Sequence, residues 1–198
     1  MHRSNGTTTL IPEVLLMGYK NGFFPMADSA SGKMQWHRPD PRAIIPLDAV
    51  RIPRSLRQVL RKQLFSVTTN TAFARVVQLC ANREDTWIND DIVDAYTALH
   101  HLGYAHSIES WQNGVLVGGL YGVSINGAFF GESMFSLQSN ASKVAFAFLV
   151  NRLLALRFTL LDTQYINEFT ESLGAIEVPD VIYQQLLGKA LSQDTCFE

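Results

Sequence analysis

The chain has 198 residues, 16 Lys plus Arg against 18 Asp plus Glu, and a formal net charge of −2 at pH 7. Its 47% hydrophobic and 17% charged residues exclude a disordered chain and a strongly basic, field-driven nucleic-acid binder, though not a local basic patch. The longest apolar run, Val144 to Val150, is far short of the roughly 20 residues that span a bilayer, and the polar opening Met1-His2-Arg3-Ser4-Asn5-Gly6 has no apolar stretch behind it, so neither a membrane span nor a signal peptide is expected. Cys80 and Cys196 are far apart and make no CxxC pair, which fits a reducing cytoplasm.

In chain order, residues 1–8 are polar and expected to be loose. Pro12 to Lys20 reads as a short helix, with proline in the first turn, Leu15, Leu16 and Tyr19 on one face and Gly22 as the stop. Residues 25–42, punctuated by Pro25, Gly32, Pro39 and Pro41, read as loop. They form the expected seam between a small N-terminal segment, 1–42, and a main domain, 43–198. Pro53 opens a helix to Lys62 that turns Leu56, Val59 and Leu60 inward and repeats Arg54, Arg57 and Arg61 on its other side. Phe65 to Thr69 alternates as a strand. Residues 71–81 place Phe73, Val76, Val77 and Cys80 at i, i+3, i+4 and i+7, an amphipathic helix. Asn89 is the expected cap of a helix that buries Ile92, Tyr96, Leu99 and Leu102.

The period then drops to two. His106 to Trp111, Val115 to Ile125 and Ala128 to Phe135 read as strands joined by Asn113-Gly114 and Asn126-Gly127. Asn-Gly suits type I′ turns, which need positive φ at both central residues, so a three-stranded meander is expected. An apolar helix from Asn140 to Leu156, capped by Ser139 or Asn140, a strand from Phe158 to Gln164 and a helix from Pro179 to Gly188 complete the chain. The pattern predicts an α+β domain with a mostly antiparallel sheet. Its order resembles the Gcn5-related acyltransferase fold.

The five histidines, His2, His37, His100, His101 and His106, have no metal-ligand spacing and read as surface or capping residues. Cys80 falls on an apolar helix face, Cys196 in the tail, and no GxSxG is present, so covalent catalysis is not expected. Gln138-Ser139-Asn140-Ala141-Ser142-Lys143 occupies the place of the Gly-x-Gly/Ala loop that cradles the pyrophosphate of coenzyme A in that fold, but Ala141 and Ser142 break the pattern. This argues against an acyl-CoA acetyltransferase. Two acids stand out. Glu132 and Asp162 sit in strands of otherwise apolar and small residues, where an acid is costly unless paired or functional. Asp162 and Gln164 are two apart on a strand and face one side.

Gly22-Phe23-Phe24-Pro25, Trp36-His37-Arg38-Pro39-Asp40-Pro41-Arg42, Thr86-Trp87-Ile88, Gly103-Tyr104-Ala105-His106-Ser107-Ile108-Glu109, Gly118-Gly119-Leu120-Tyr121-Gly122-Val123, Gly131-Glu132-Ser133-Met134-Phe135-Ser136, Asn140-Ala141-Ser142-Lys143, Asp162-Thr163-Gln164 and Ser172-Leu173-Gly174 run in order from about Leu10 to about Leu187. Together they resemble the leucyl/phenylalanyl-tRNA–protein transferase family. The resemblance implies transfer of Leu, Phe or, less well, Met from aminoacyl-tRNA (Leu-tRNA, Phe-tRNA) to an acceptor protein with N-terminal Arg or Lys, in the cytoplasm, with no cofactor or metal. The product then enters N-end-rule degradation. It implies active-site roles for Glu132, Asp162 and Gln164, and a Trp87 near the aminoacyl-adenosine. It also implies an apolar pocket of Leu120, Phe129, Phe146, Leu149, Leu153 and Leu161. Met26 stands where many members have Trp and is expected to pack against adenine. Phe169 stands where many have His, and the N-terminal segment is expected to be reduced. From the residues themselves, the tRNA is expected along Arg54, Arg57, Arg61 and Lys62. The alternatives are a transferase of the same fold acting on N-terminal Asp or Glu, and a non-enzymatic adaptor that binds tRNA or protein N-termini.

Overall fold

The computed structural model describes residues 10–28, 31, 33–82, 86 and 88–198. Helix α1 (Pro12–Lys20) carries its proline at the first turn and buries Leu15 and Tyr19. Gly22, at φ +81°, turns the chain out of it. Strands β1 (Phe24–Ala27) and β2 (Met34–His37) then pair as a separate antiparallel hairpin, where the sequence reads as loop. Pro25 is tolerated there because a two-stranded sheet is all edge. Strand β3 (Arg42–Ile45) follows, and then α2 (Arg54–Arg61), which turns Leu56 inward as expected. Next come β4 (Ser66–Thr69), α3 (Phe73–Ala81), with Phe73, Val76, Val77 and Cys80 all buried, and α4 (Asp90–His101). The Asn89 side chain caps α4 by accepting from the Ile92 N–H. Leu102 lies just past the last turn of α4 and is exposed rather than buried.

The meander is β5 (Ala105–Gln112), β6 (Val115–Ile125) and β7 (Ala128–Ser136), paired antiparallel in sequence order. Asn113 and Gly114 both take positive φ, 52° and 77°. At the second turn only Asn126 does (φ 51°), because Gly127 is held by backbone hydrogen bonds to Ala190 and from Thr159 and Leu160. Helix α5 (Ala141–Ala155) follows. Asn140 precedes it in left-handed conformation without a side-chain cap, in place of the capping expected of Ser139 or Asn140. The remaining elements are β8 (Leu160–Gln164), α6 (Glu168–Ser172), β9 (Ile176–Val178) and α7 (Asp180–Leu191), which runs past Gly188.

One seven-stranded sheet, ordered β4-β5-β6-β7-β8-β3-β9, organises the molecule. Its pairs are antiparallel except β7 with β8, which are joined by the α5 crossover and run parallel. Alternate side chains divide the core into two layers. Tyr121, Val123, Phe130 and Leu160 pack with α1, α3, α4 and α7 on one face. Ile108, Leu120, Phe129 and Leu161 pack with α5 on the other. The fold is therefore α+β with a mostly antiparallel, mixed sheet.

One histidine differs from the sequence reading. His106 is buried, not superficial, and stacks on Phe197 with ring centroids 4.3 Å apart. Phe197 is in turn buried, and its carbonyl accepts from Arg152 Nη2 at 2.7 Å, so the segment beyond α7 is anchored in the core. Among the described residues no helix is long and apolar enough to cross a membrane.

Candidate active site

The site forms where β7 and β8 part. Their parallel pairing ends at Phe130 with Asp162. One residue later β7 bulges: Gly131 pairs with Gly122 and Ser133 with Tyr121, leaving Glu132 as the extra residue. The bulge turns the Glu132 carboxyl toward the α1–α4 layer. There Tyr19 OH donates to Oε1 at 2.7 Å, Tyr96 OH to Oε2 at 3.1 Å and Gln164 Nε2 to Oε1 at 2.9 Å. The two tyrosine hydroxyls also touch each other.

Burial pushes the Glu132 carboxyl up to about 7, against the pull of the hydrogen bonds from Tyr19 and Tyr96 and with a further push from the Asp162 charge. Burial, and then the Glu132 charge, also raise both tyrosines well above their ordinary value.

Asp162 is held differently. It has no exposed surface, and Arg42 grips it in a fork, Nε to Oδ1 at 3.0 Å and Nη2 to Oδ2 at 2.8 Å. Tyr183 OH donates to Oδ2 at 2.6 Å, and the Gln164 backbone N–H to Oδ1 at 2.8 Å. Arg42 is also buried. It donates to the Gly22 carbonyl and lies between the rings of Phe24 and Tyr183. Burial alone would lower its pKa, but the charge and hydrogen bonds of Asp162 raise it. As folded, Asp162 is unavailable to an incoming residue. It fixes Gln164, whose backbone stands at φ 63°, and Gln164 in turn fixes Glu132.

Beside Glu132 lies a cavity of about 250 Å³. Of the expected pocket residues, Leu120, Phe146, Leu149 and Leu161 line it, while Phe129 and Leu153 lie in the same apolar cluster but not in the lining. Phe169 supplies a wall, its ring edge-on to Phe146 at 5.6 Å. Met26 is on β1, paired with Gln35, and is not part of this lining. Trp87 lies outside the described residues. Arg54, Arg57, Arg61 and Lys62 are all exposed, on or just past α2, which packs against α5. Sequence reasoning missed Tyr19, Tyr96, Arg42 and Tyr183 as site residues. Tyr19 and Tyr96 stood out only as members of apolar faces.

An acid near neutrality at the edge of an apolar, side-chain-sized cavity suits proton transfer beside a bound hydrocarbon group. Comparison with known proteins shows the family. Residues 44–188 match the family described as leucyl/phenylalanyl-tRNA protein transferase, and residues 9–40 match the N-terminal domain of the same family. The leucyl/phenylalanyl-tRNA–protein transferase of Salinibacter ruber is 54% identical over 182 residues, covering 92% of this chain and 80% of its own. That of Chlorobaculum parvum is 51% identical over 189 residues, covering 93% and 97%. Among solved structures, L-PGS from Bacillus licheniformis shares the fold at a TM-score of 0.50 and 10% identity, over 91% of this chain and 70% of that one. With a family match across residues 44–188 and relatives above 50% identity over nine-tenths of its length, this chain belongs to the leucyl/phenylalanyl-tRNA protein transferase family.

Proposed function

We propose that this protein moves Leu or Phe, and Met less well, from aminoacyl-tRNA to the N-terminal Arg or Lys of an acceptor protein in the cytoplasm, marking it for N-end-rule degradation. The observation that carries the reading is the pairing of the apolar cavity with Glu132, the one carboxyl in its lining among the described residues. The cavity takes the side chain of the transferred residue. The acidic edge favours a basic acceptor over one that begins with Asp or Glu.

The reaction is aminolysis of an ester. The acceptor α-amine, with an ordinary pKa of roughly 7.7–8.0, attacks the ester carbonyl carbon. A C–N bond forms and the carbonyl π electrons move onto oxygen. Ionised Glu132 takes the proton from the nitrogen. Collapse of the adduct then breaks the bond to the terminal ribose oxygen, and Glu132 returns the proton to that leaving oxygen. The enzyme's remaining task is to hold amine and ester together and to steady the oxyanion. Gln164 uses one Nε2 hydrogen on Glu132 and has a second for that oxyanion. Asp162 is a positioning residue, acting through Gln164. We read the mixed sheet with its parted parallel pair as the Gcn5-related acyltransferase type, and place the boundary between N-terminal segment and main domain at residue 42. The strand order and the two family matches support this.

The test is transfer of labelled Leu from Leu-tRNA to peptides that begin with Arg, Lys, Asp or Ala, with an RNase-treated control. Labelling of the Arg and Lys peptides alone, abolished by RNase, is expected. Labelling of the Asp peptide would overturn the acceptor assignment, and binding without transfer would make the protein an adaptor.

The exposed cations of α2 give a separate prediction. Transfer falls steeply with ionic strength, and an Arg57→Ala/Arg61→Ala variant lowers the log–log salt slope by about 1.8, the loss of two phosphate contacts at ~0.9 each. An unchanged slope would place the RNA on another face.

A further inference from the structure

We infer that the recess between α2, β4 and α5 is a second contact for the tRNA, taking one unpaired nucleobase of its 3′ end while Arg57, Arg61 and Lys62 hold the adjoining phosphates. This rests on the aminoacyl-tRNA reading above. The recess holds about 160 Å³ and opens on the opposite side of α5 from the active-site cavity. Leu60, Phe65, Val144 and Ala147 form its apolar walls. The small cluster they belong to, centred on Leu56, leaves this space open. Against such walls a planar apolar group gains close contacts and leaves water.

The rim narrows the choice of occupant. Phe148 stands 37% exposed at the mouth and offers an aromatic face. The amides of Gln63 and Asn151 also line the recess, supplying donors and acceptors for the edge of a planar ring. The neighbouring charges are of one sign. Arg54, Arg57, Arg61 and Lys62 are exposed, and none is ion-paired among the described residues. A base with its flanking phosphates matches this combination of stacking face, amides and cations. An apolar peptide segment would leave the cations idle.

Position supports the same occupant. Phe146 and Leu149 of α5 line the active-site cavity, and Val144, Ala147 and Asn151 line the recess. The two are separated by a single helix about 10 Å across. Lys143, exposed on α5 with its Nζ 5.7 Å from the centre of the Phe169 ring, places a further cation near the cavity. A strand ending in the cavity therefore reaches the recess within a few nucleotides.

The experiment compares donors of increasing length, Leu-adenosine, Leu-CA, Leu-CCA and Leu-tRNA, on the parent protein and on Ala147→Trp and Phe148→Ala variants. Ala147→Trp fills the recess, and Phe148→Ala, at the exposed rim, removes the stacking face without disturbing the core. In the parent, kcat/KM rises with donor length. In both variants Leu-adenosine is used within about twofold of the parent, whereas Leu-tRNA loses about tenfold, the worth of one stacked base. Equal losses on Leu-adenosine and Leu-tRNA would assign the recess to packing and overturn the inference, as would no loss on either. A loss that appears only when the acceptor is a whole protein in place of a peptide would give the recess to the acceptor. A parent protein that uses no donor at all would remove the transferase reading itself, and this inference with it.

Discussion

Glu132→Gln lowers kcat/KM for aminoacyl transfer by about 100-fold or more and changes the shape of its pH profile. The magnitude is that of a lost general base. The shape is the sharper test. In the parent, attack needs Glu132 ionised and the acceptor amine neutral. Glu132 titrates near 7 and the amine at roughly 7.7–8.0. Below pH 7 both are lost together, so log kcat/KM climbs with a slope near two; between about 7 and 8 the slope is near one. In the variant only the amine titrates, and a slope near one extends through the whole acid range. The glutamine is isosteric, and its carbonyl oxygen accepts from the Tyr19 and Gln164 donors that now reach Oε1. A variant with the parent's slope of two would put the proton on another group.

The same ionisation has a stability side whose sign is fixed. A carboxyl held above its unfolded value binds its proton more tightly in the folded state, so its contribution is full below about pH 4.5, declines as the pH rises to about 7 and is constant above. A rise from 4.5 to about 7 corresponds to about 3 kcal/mol. Glu132→Gln is therefore less active yet more stable than the parent at pH 8, by a margin that shrinks toward pH 5. Denaturant unfolding at the two pH values reads this directly.

The parts legible in the sequence are those whose signal is local. The meander announces itself by alternation and by two Asn-Gly turns, and α3 by four apolar residues on one face, all four buried. Strand β3 has no such signal. It is four residues long, and its partners β8 and β9 come from the far end of the chain. It also begins with Arg42, which the sequence leaves at the end of a loop and the structure joins to Asp162. Glu132 and Asp162 were conspicuous as acids in apolar strands, but their different fates depend on residues distant in sequence: Tyr19 and Tyr96 for one, Arg42 and Tyr183 for the other. Spacing placed Asp162 and Gln164 on one side, and they are joined there. It could not say that the link runs through the Gln164 backbone N–H, leaving the amide to Glu132. Phe169 looked like a lost histidine and is a wall of the cavity.

Asp162→Ala lowers stability by about 3–5 kcal/mol, because removing one member of a buried ion pair leaves the other charge without compensation. For a domain of this size that is a fall in Tm of roughly 10 °C. With exposures of 1% for Arg42 and 0% for Asp162, bulk solvent does not reach the pair to screen the charge left behind. Tyr183 and the Gln164 N–H lose their acceptor in the same step. An Arg42→Met/Asp162→Leu variant removes both charges and recovers most of the lost stability, since a buried pair is worth little more than the apolar contacts that replace it. It does not recover turnover, because nothing then fixes Gln164 against Glu132. Asp162→Asn separates positioning from proton transfer. It keeps an oxygen for the Gln164 N–H but turns an amide nitrogen toward Arg42 or Tyr183, so kcat falls while the acid limb, still set by Glu132, moves down as the push of the Asp162 charge is lost. Disappearance of that limb would make Asp162 the proton acceptor, and full turnover in Asp162→Asn would show that Gln164 holds its place without the ion pair.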